Sequence, residues 1–185
     1  TLRSIPNISI VVPSDPFELF KVLNEAIDYK NSVYIRLTAG ANSKIINSKD
    51  YEFKIGKAVE ILPGNDVTII GCGNILGNCL EAASILKKKN VQCSVVNMHT
   101  IKPIDHEIIR NITSKNKLIL TVEEHNIIGG LGSSVAEVLS SYNHNCKLVR
   151  LGINDFYSSG GSYEYLKNIY GLSVEKIIET VLSNL

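Results

Sequence analysis

Short, continuous apolar runs alternate with amphipathic stretches along most of the chain. Ile8 to Val12, ISIVV, is apolar and rich in β-branched residues, which predicts a buried strand ended by Pro13. SDPFE then opens a helix: Asp15 can cap it, Pro16 suits its first position, and Glu18 stands three residues after the cap. Phe17, Phe20, Leu23 and Ile27 form its apolar face to about Tyr29. VYIRL, containing Arg36, is a second strand. Residues 1–37 thus read strand–helix–strand, a parallel unit too small to be a domain by itself. Thr38 to Asp50 is small and polar, a candidate linker. Tyr51, Phe53 and Ile55 alternate with polar residues, predicting an edge strand, with another near Ala58 to Leu62.

From Asp66 the pattern becomes regular. Strands are expected at Val67–Ile70, Val91–Asn97, Lys117–Val122 and Cys146–Leu151. Helices are expected at about Asn74–Lys89, Asp105–Ser114, Ser133–Tyr142 and Ser173–Leu185, with a short one near Tyr163–Tyr170. Apolar strands alternating with amphipathic helices predict an α/β domain, doubly wound, with a mainly parallel sheet, preceded by the strand–helix–strand remnant of a second α/β domain.

Composition narrows the function classes. With 44% hydrophobic and 20% charged residues and a net charge of +1 over 185 residues, the chain has the balance of a soluble globular protein and offers no basic surface for nucleic acid or membrane. No apolar run approaches the ~20 residues of a membrane span. Cys72, Cys79, Cys93 and Cys146 form no CxxC pair and read as small buried hydrophobes, so no metal site is expected and a cytoplasmic location is.

Two glycine-rich turns carry candidate chemistry. Gly71, Gly73 and Gly77 follow a predicted strand, but their G-x-G-x-x-x-G spacing is one residue longer than the dinucleotide fingerprint, and the next strand ends Asn97-Met98-His99 without the expected acid. They read as backbone geometry: a tight turn at Gly71 and Gly73, and close helix–sheet approach at Gly77. The second turn, EEHNIIGGLGSS, follows a strand at its carboxyl end, where such folds place their sites. Gly130 and Gly132 would suit an anion, whereas Glu123 and Glu124 would repel one. His125 is either a general base or a packing residue. Ile127 and Ile128 suggest burial against another chain or domain.

LRSIPNISIVVPSDPFE, VYIRL, VTIIGCG, VVNMHTIKPID, LTVEEHNIIGGLGSSVAE and SSGGSYEYLKNIYGLSVEKIIE together resemble the carboxyl-terminal part of transketolases, in order and spacing, over essentially the whole chain. The resemblance implies that residues 1–46 end a pyrimidine-binding-type domain and 47–185 form the family's carboxyl-terminal domain. It implies two-carbon ketol transfer between sugars or sugar phosphates in a complete enzyme carrying thiamine diphosphate and a divalent metal (Mg), neither bound by this chain alone. The glutamate that activates the cofactor lies outside these residues in the family, so no catalytic residue is expected here and the isolated chain should be inactive. Arg36 matches a substrate-side arginine; the place of a second, phosphate-binding one is taken by Ala39. His125, Gly130 and Gly132 are expected at an interface or beside the active site of a homodimer. A beta-subunit fragment of a 2-oxoacid dehydrogenase, a deoxyxylulose-phosphate synthase, or a non-enzymatic dimerisation or regulatory domain of the same fold are the alternatives.

Overall fold

The computed structural model describes residues 1–38, 45, 46 and 51–185. Ala39 and most of the expected linker lie outside the described residues, as does the exact point of the expected 46/47 division. A short 3-10 turn at Leu2–Ser4 leads into β1 (Ile8–Val11), α1 (Pro16–Ile27) and β2 (Ser32–Ile35). β1 and β2 pair in parallel, as the strand–helix–strand pattern requires. Asp15 caps α1 by accepting from the Glu18 amide.

The larger sheet contains β3 (Val59–Leu62), β4 (Val67–Gly71), β5 (Cys93–Asn97), β7 (Leu118–Asn126) and β8 (Lys147–Ile153) in the order β3-β5-β4-β7-β8. All its pairings are parallel except β3 with β5. Between the strands run α2 (Leu76–Lys87), α3 (His106–Lys115) and α4 (Leu131–Leu139), and after them α5 (Tyr163–Ile169) and α6 (Val174–Leu182). Strand alternation divides the core. Val67, Ile69, Leu118, Leu120 and Val122 pack with Leu76, Leu86, Ile177 and Val181 of α2 and α6. Ile70, Val96 and Ile119 pack with Ile109, Ile112, Leu131 and Val135 of α3 and α4. This is the doubly wound, mainly parallel arrangement read from the pattern. All four cysteines are buried and free.

Several expectations are corrected. Tyr51 to Ile55 is not a strand; it is an irregular segment whose alternation seats Phe53 and Ile55 against Val11 and Val22. A strand missed in the sequence, β6 (Thr100–Lys102), leaves the second half of the chain to pair antiparallel with β1, giving a three-stranded sheet β2-β1-β6. β7 runs on to Asn126, so His125 lies in a strand and not in the loop. The apolar face expected to bury α1 is exposed: Phe20 at 67% and Ile27 at 79%, while Glu18 and Val22 are buried in its place. The inward stripe of α1 is set by the polar cluster described next. Gly77 does not mediate close approach, since an added Cβ would meet only Ile46 Cδ1, at 3.9 Å.

Polar contacts join the two sheets. Glu18 accepts from the Ser14 amide at 2.6 Å and hydroxyl at 2.8 Å, from Asn97 Nδ2 at 2.7 Å and from the Tyr51 hydroxyl. Burial holds its carboxyl above the usual range despite these donors. Beside this cluster, His99 is fully buried with its ring 4.2 Å from that of Phe53. Burial holds the imidazole down to about 4, against the opposing pull of Asp105. His99 is therefore neutral in the folded state while the unfolded chain protonates it near its ordinary 6.5, so its contribution to stability is present above 6.5 and lost as pH falls towards 4. The stability gap between the native chain and His99→Gln is expected to shrink by about 3 kcal/mol between pH 7 and pH 4 in urea titrations. A gap independent of pH would contradict a neutral buried His99.

Candidate functional site

The carboxyl ends of parallel strands collect unpaired amides and loop side chains, and here β4, β7 and β2 end together. After β4, Gly73 turns the chain at φ +71°, where an added Cβ would lie 3.1 Å from Val12 Cγ1 and 3.3 Å from Thr38 Oγ1. Gly71 is close-packed as well, within 3.2 Å of Cys79 Sγ and Leu76 Cδ1 by the same measure. These glycines therefore act on packing, as the failed fingerprint indicates.

At the end of β7, consecutive glutamates point to opposite sides of the sheet. Glu123 is buried, and its carboxylate accepts from the backbone N–H of Leu131 at 2.7 Å and of Gly132 at 2.8 Å, the first turn of α4. Sequence reasoning set the glycines and the glutamates in opposition; in the structure the anion that suits the glycine-rich loop is Glu123 itself. Burial raises its carboxyl above the usual range, and those two amides oppose the rise. The glycines are needed because the fit is close. A Cβ at position 130 would fall 1.8 Å from Glu123 Oε2, and one at position 132 would fall 2.8 Å from Thr121 Oγ1 and 2.7 Å from Arg150 Cδ.

Glu124 faces the other way. Its Oε1 accepts from the Tyr163 hydroxyl of α5, and its backbone carbonyl accepts from Arg36 Nη2 at 2.8 Å. Burial raises the Glu124 carboxyl, countered first by Tyr163 and then by the Arg36 guanidinium. Arg36 sits one residue beyond β2, half-buried, with its amide bonded to the Val11 carbonyl.

A cavity of about 280 Å³ lies against these groups, lined by Arg3, Tyr34, Arg36, Glu123, Glu124 and His125 among others. Of the residues picked out in the sequence, Arg36, His125 and Gly130 line it; Gly132 does not, being enclosed in the first turn of α4. His125 is exposed, with Nδ1 2.8 Å from the Asn126 carbonyl. Arg3 and Tyr163 escaped sequence reasoning. Arg3 reaches the Gly129 carbonyl at 3.2 Å and pairs with Glu137, contacts across more than a hundred residues that no local pattern announces.

The chain matches the family described as transketolase, C-terminal domain, over residues 56–177. It belongs to that transketolase C-terminal domain family. Similar chains include one from Methanocaldococcus jannaschii provisionally assigned as a transketolase C-terminal section, 39% identical over all of this chain and 58% of its own. Another is one of the subunits of the apulose-4-phosphate transketolase of Phocaeicola vulgatus, 36% identical over 98% of this chain and 57% of the relative. A 1-deoxy-D-xylulose-5-phosphate synthase of Caldanaerobacter subterraneus is 34% identical over 98% of this chain and 29% of its own length. Among solved structures, a split gene transketolase described as an inactive beta4 tetramer superposes with a TM-score of 0.88 at 34% identity, over 98% of this chain and 58% of that one. The chain thus spans less than two thirds of each of these relatives.

Thiamine diphosphate with its metal needs amide or cationic donors for the diphosphate and an oxygen-rich ligand set for the metal. Among the described residues, no group of three or more His, Cys, Asp and Glu is placed to hold a metal ion. The α4 amides beside the cavity are engaged by Glu123.

Gly130→Ala is expected to displace Glu123 from its amides and cost about 2–4 kcal/mol in chemical denaturation. Gly160→Ala, where a Cβ would meet nothing within 4 Å, should change stability by less than about 1 kcal/mol. Equal effects at the two positions would show that the Glu123 seat does not organise this loop.

Proposed function

We propose that these residues are the carboxyl-terminal part of a transketolase-type enzyme that moves a two-carbon ketol unit between sugars or sugar phosphates. The reading rests above all on the match of nearly the whole chain to the split gene transketolase at TM-score 0.88. In this reading residues 1–46 close a pyrimidine-binding-type domain and residues 47–185 form the carboxyl-terminal domain. Thiamine diphosphate and magnesium, held elsewhere in the complete enzyme, supply the carbanion chemistry. The chain contributes assembly surfaces, including the exposed Ile128 beside Gly129 and Gly130, and substrate-side contacts led by Arg36. One relative named as a transketolase subunit and another described as a tetramer support assembly with further polypeptides. The similarity to 1-deoxy-D-xylulose-5-phosphate synthase supports a second reading, synthesis of that sugar phosphate, which an assay for its formation separates from ketol transfer.

Arg36 carries the substrate role. Arg36 lines the cavity, and one nitrogen of its guanidinium is fixed by the Glu124 carbonyl. The planar, permanent cation of arginine suits a phosphate or a polarised sugar oxygen. In the complete enzyme, Arg36→Ala is expected to raise KM for a phosphorylated ketose roughly tenfold or more, with the melting temperature little changed. Unchanged kinetics in a stable variant would remove Arg36 from the substrate site.

A polypeptide limited to residues 1–185 is expected to be inactive and to bind thiamine diphosphate weakly or not at all in the presence of magnesium. Isothermal titration calorimetry giving micromolar affinity would contradict the division of labour proposed here.

A further inference from the structure

Tyr163 lies on α5, far along the chain from Arg36, yet both reach Glu124. The Tyr163 hydroxyl donates to Oε1 of the side chain, and Arg36 Nη2 donates at 2.8 Å to the main-chain carbonyl of the same residue. Tyr163 is fixed in turn. Lys167 Nζ stands 4.6 Å from its ring centroid and 3.5 Å from Asn78 Oδ1, and Asn78 Nδ2 donates to the Leu172 carbonyl at 2.9 Å. The β4 turn lies alongside Glu124: a Cβ at Gly73 would stand 4.0 Å from Oε2, an ordinary contact distance, and 3.3 Å from Thr38 Oγ1. Glu124 is therefore gripped from α5 and backed by the β4 turn, and through it the end of β7 is held where Arg36 meets it.

We infer that Tyr163 is a positioning residue for the substrate arginine, acting through Glu124, so that the α5 segment sets the orientation of Arg36 in the cavity. The inference rests on the substrate role of Arg36 proposed above. A guanidinium with one nitrogen anchored keeps its fork aimed for bidentate contact, and a long side chain released from its anchor loses that preorganisation. Tyr163 itself does not line the cavity, and its hydroxyl donates to Glu124, so its effect on substrate must pass through that residue.

The test is steady-state kinetics of the complete enzyme with fructose phosphate and with erythrulose as ketol donors, on Tyr163→Phe, Arg36→Ala and the double variant. Tyr163→Phe keeps the aromatic ring and removes only the hydroxyl. It is expected to raise KM for fructose phosphate about five- to tenfold, leave kcat within about twofold and change KM for erythrulose far less. The double variant is expected to show the KM of Arg36→Ala alone, because residues acting through one group are not additive. Glu124→Ala, which keeps the main-chain acceptor of Arg36 but removes the acceptor of the Tyr163 hydroxyl, should also raise KM and provides the reading if Tyr163→Phe folds poorly. A raised KM in Arg36→Ala with none in Tyr163→Phe overturns the positioning role and leaves Arg36 as a substrate contact. Additive effects in the double variant overturn it too, since Tyr163 would then act elsewhere. No effect of Arg36→Ala removes the proposed substrate role and the positioning role with it.

Discussion

The carboxylate of Glu123, bonded to the first two amides of α4, is the contact on which the carboxyl end of the large sheet depends. A buried carboxylate without partners is costly, and a helix start without an acceptor leaves orphan donors. Each offsets the other here. Because the seat is tight, positions 130 and 132 have space only for hydrogen, and the loop between β7 and α4 follows one path. Arg150 Nη1 closes that path from β8, 3.3 Å from the Ile127 carbonyl. A loop that looks built to receive an external anion is thus filled by the chain's own.

Strand periodicity explains how two adjacent glutamates take unrelated roles. Glu123 continues the face of Ile119 and Thr121 towards α4, and Glu124 continues the face of Leu120 and Val122 towards α2 and α5. Both carboxyls are raised by burial, and each is met by donors fixed by a separate helix. Glu124 gathers groups from β2 and α5, so Arg36 is held by elements that are distant in sequence. The cavity beside it is a product of three strand ends meeting, which is the usual location of sites in open α/β sheets.

A second polar centre holds the smaller sheet to the larger one. Glu18, on α1, is reached by donors from Ser14, Tyr51 and Asn97, and the buried Phe53–His99 pair lies beside it. Strand β6 adds a backbone connection by pairing with β1. These contacts turn a polar residue of α1 inward. They leave Phe17, Phe20, Leu23 and Ile27 outward, a reversal that a hydrophobic stripe alone predicts in the wrong sense.

The sequence by itself determined the alternation of strands and helices, the doubly wound layering, the cap at Asp15, and the reading of Gly71 and Gly73 as backbone geometry. These follow from local spacing, where propensity, capping and apolar periodicity agree. It also marked Arg36, His125 and Gly130, all of which line one cavity. The short β6, the irregular path of Tyr51 to Ile55, the orientation of α1, the occupation of the α4 amides by Glu123 and the reach of Tyr163 to Glu124 were decided only by the tertiary structure. Each depends on partners whose approach is fixed by packing rather than by neighbouring residues, and a hydrogen bond made that way leaves no period in the chain to read.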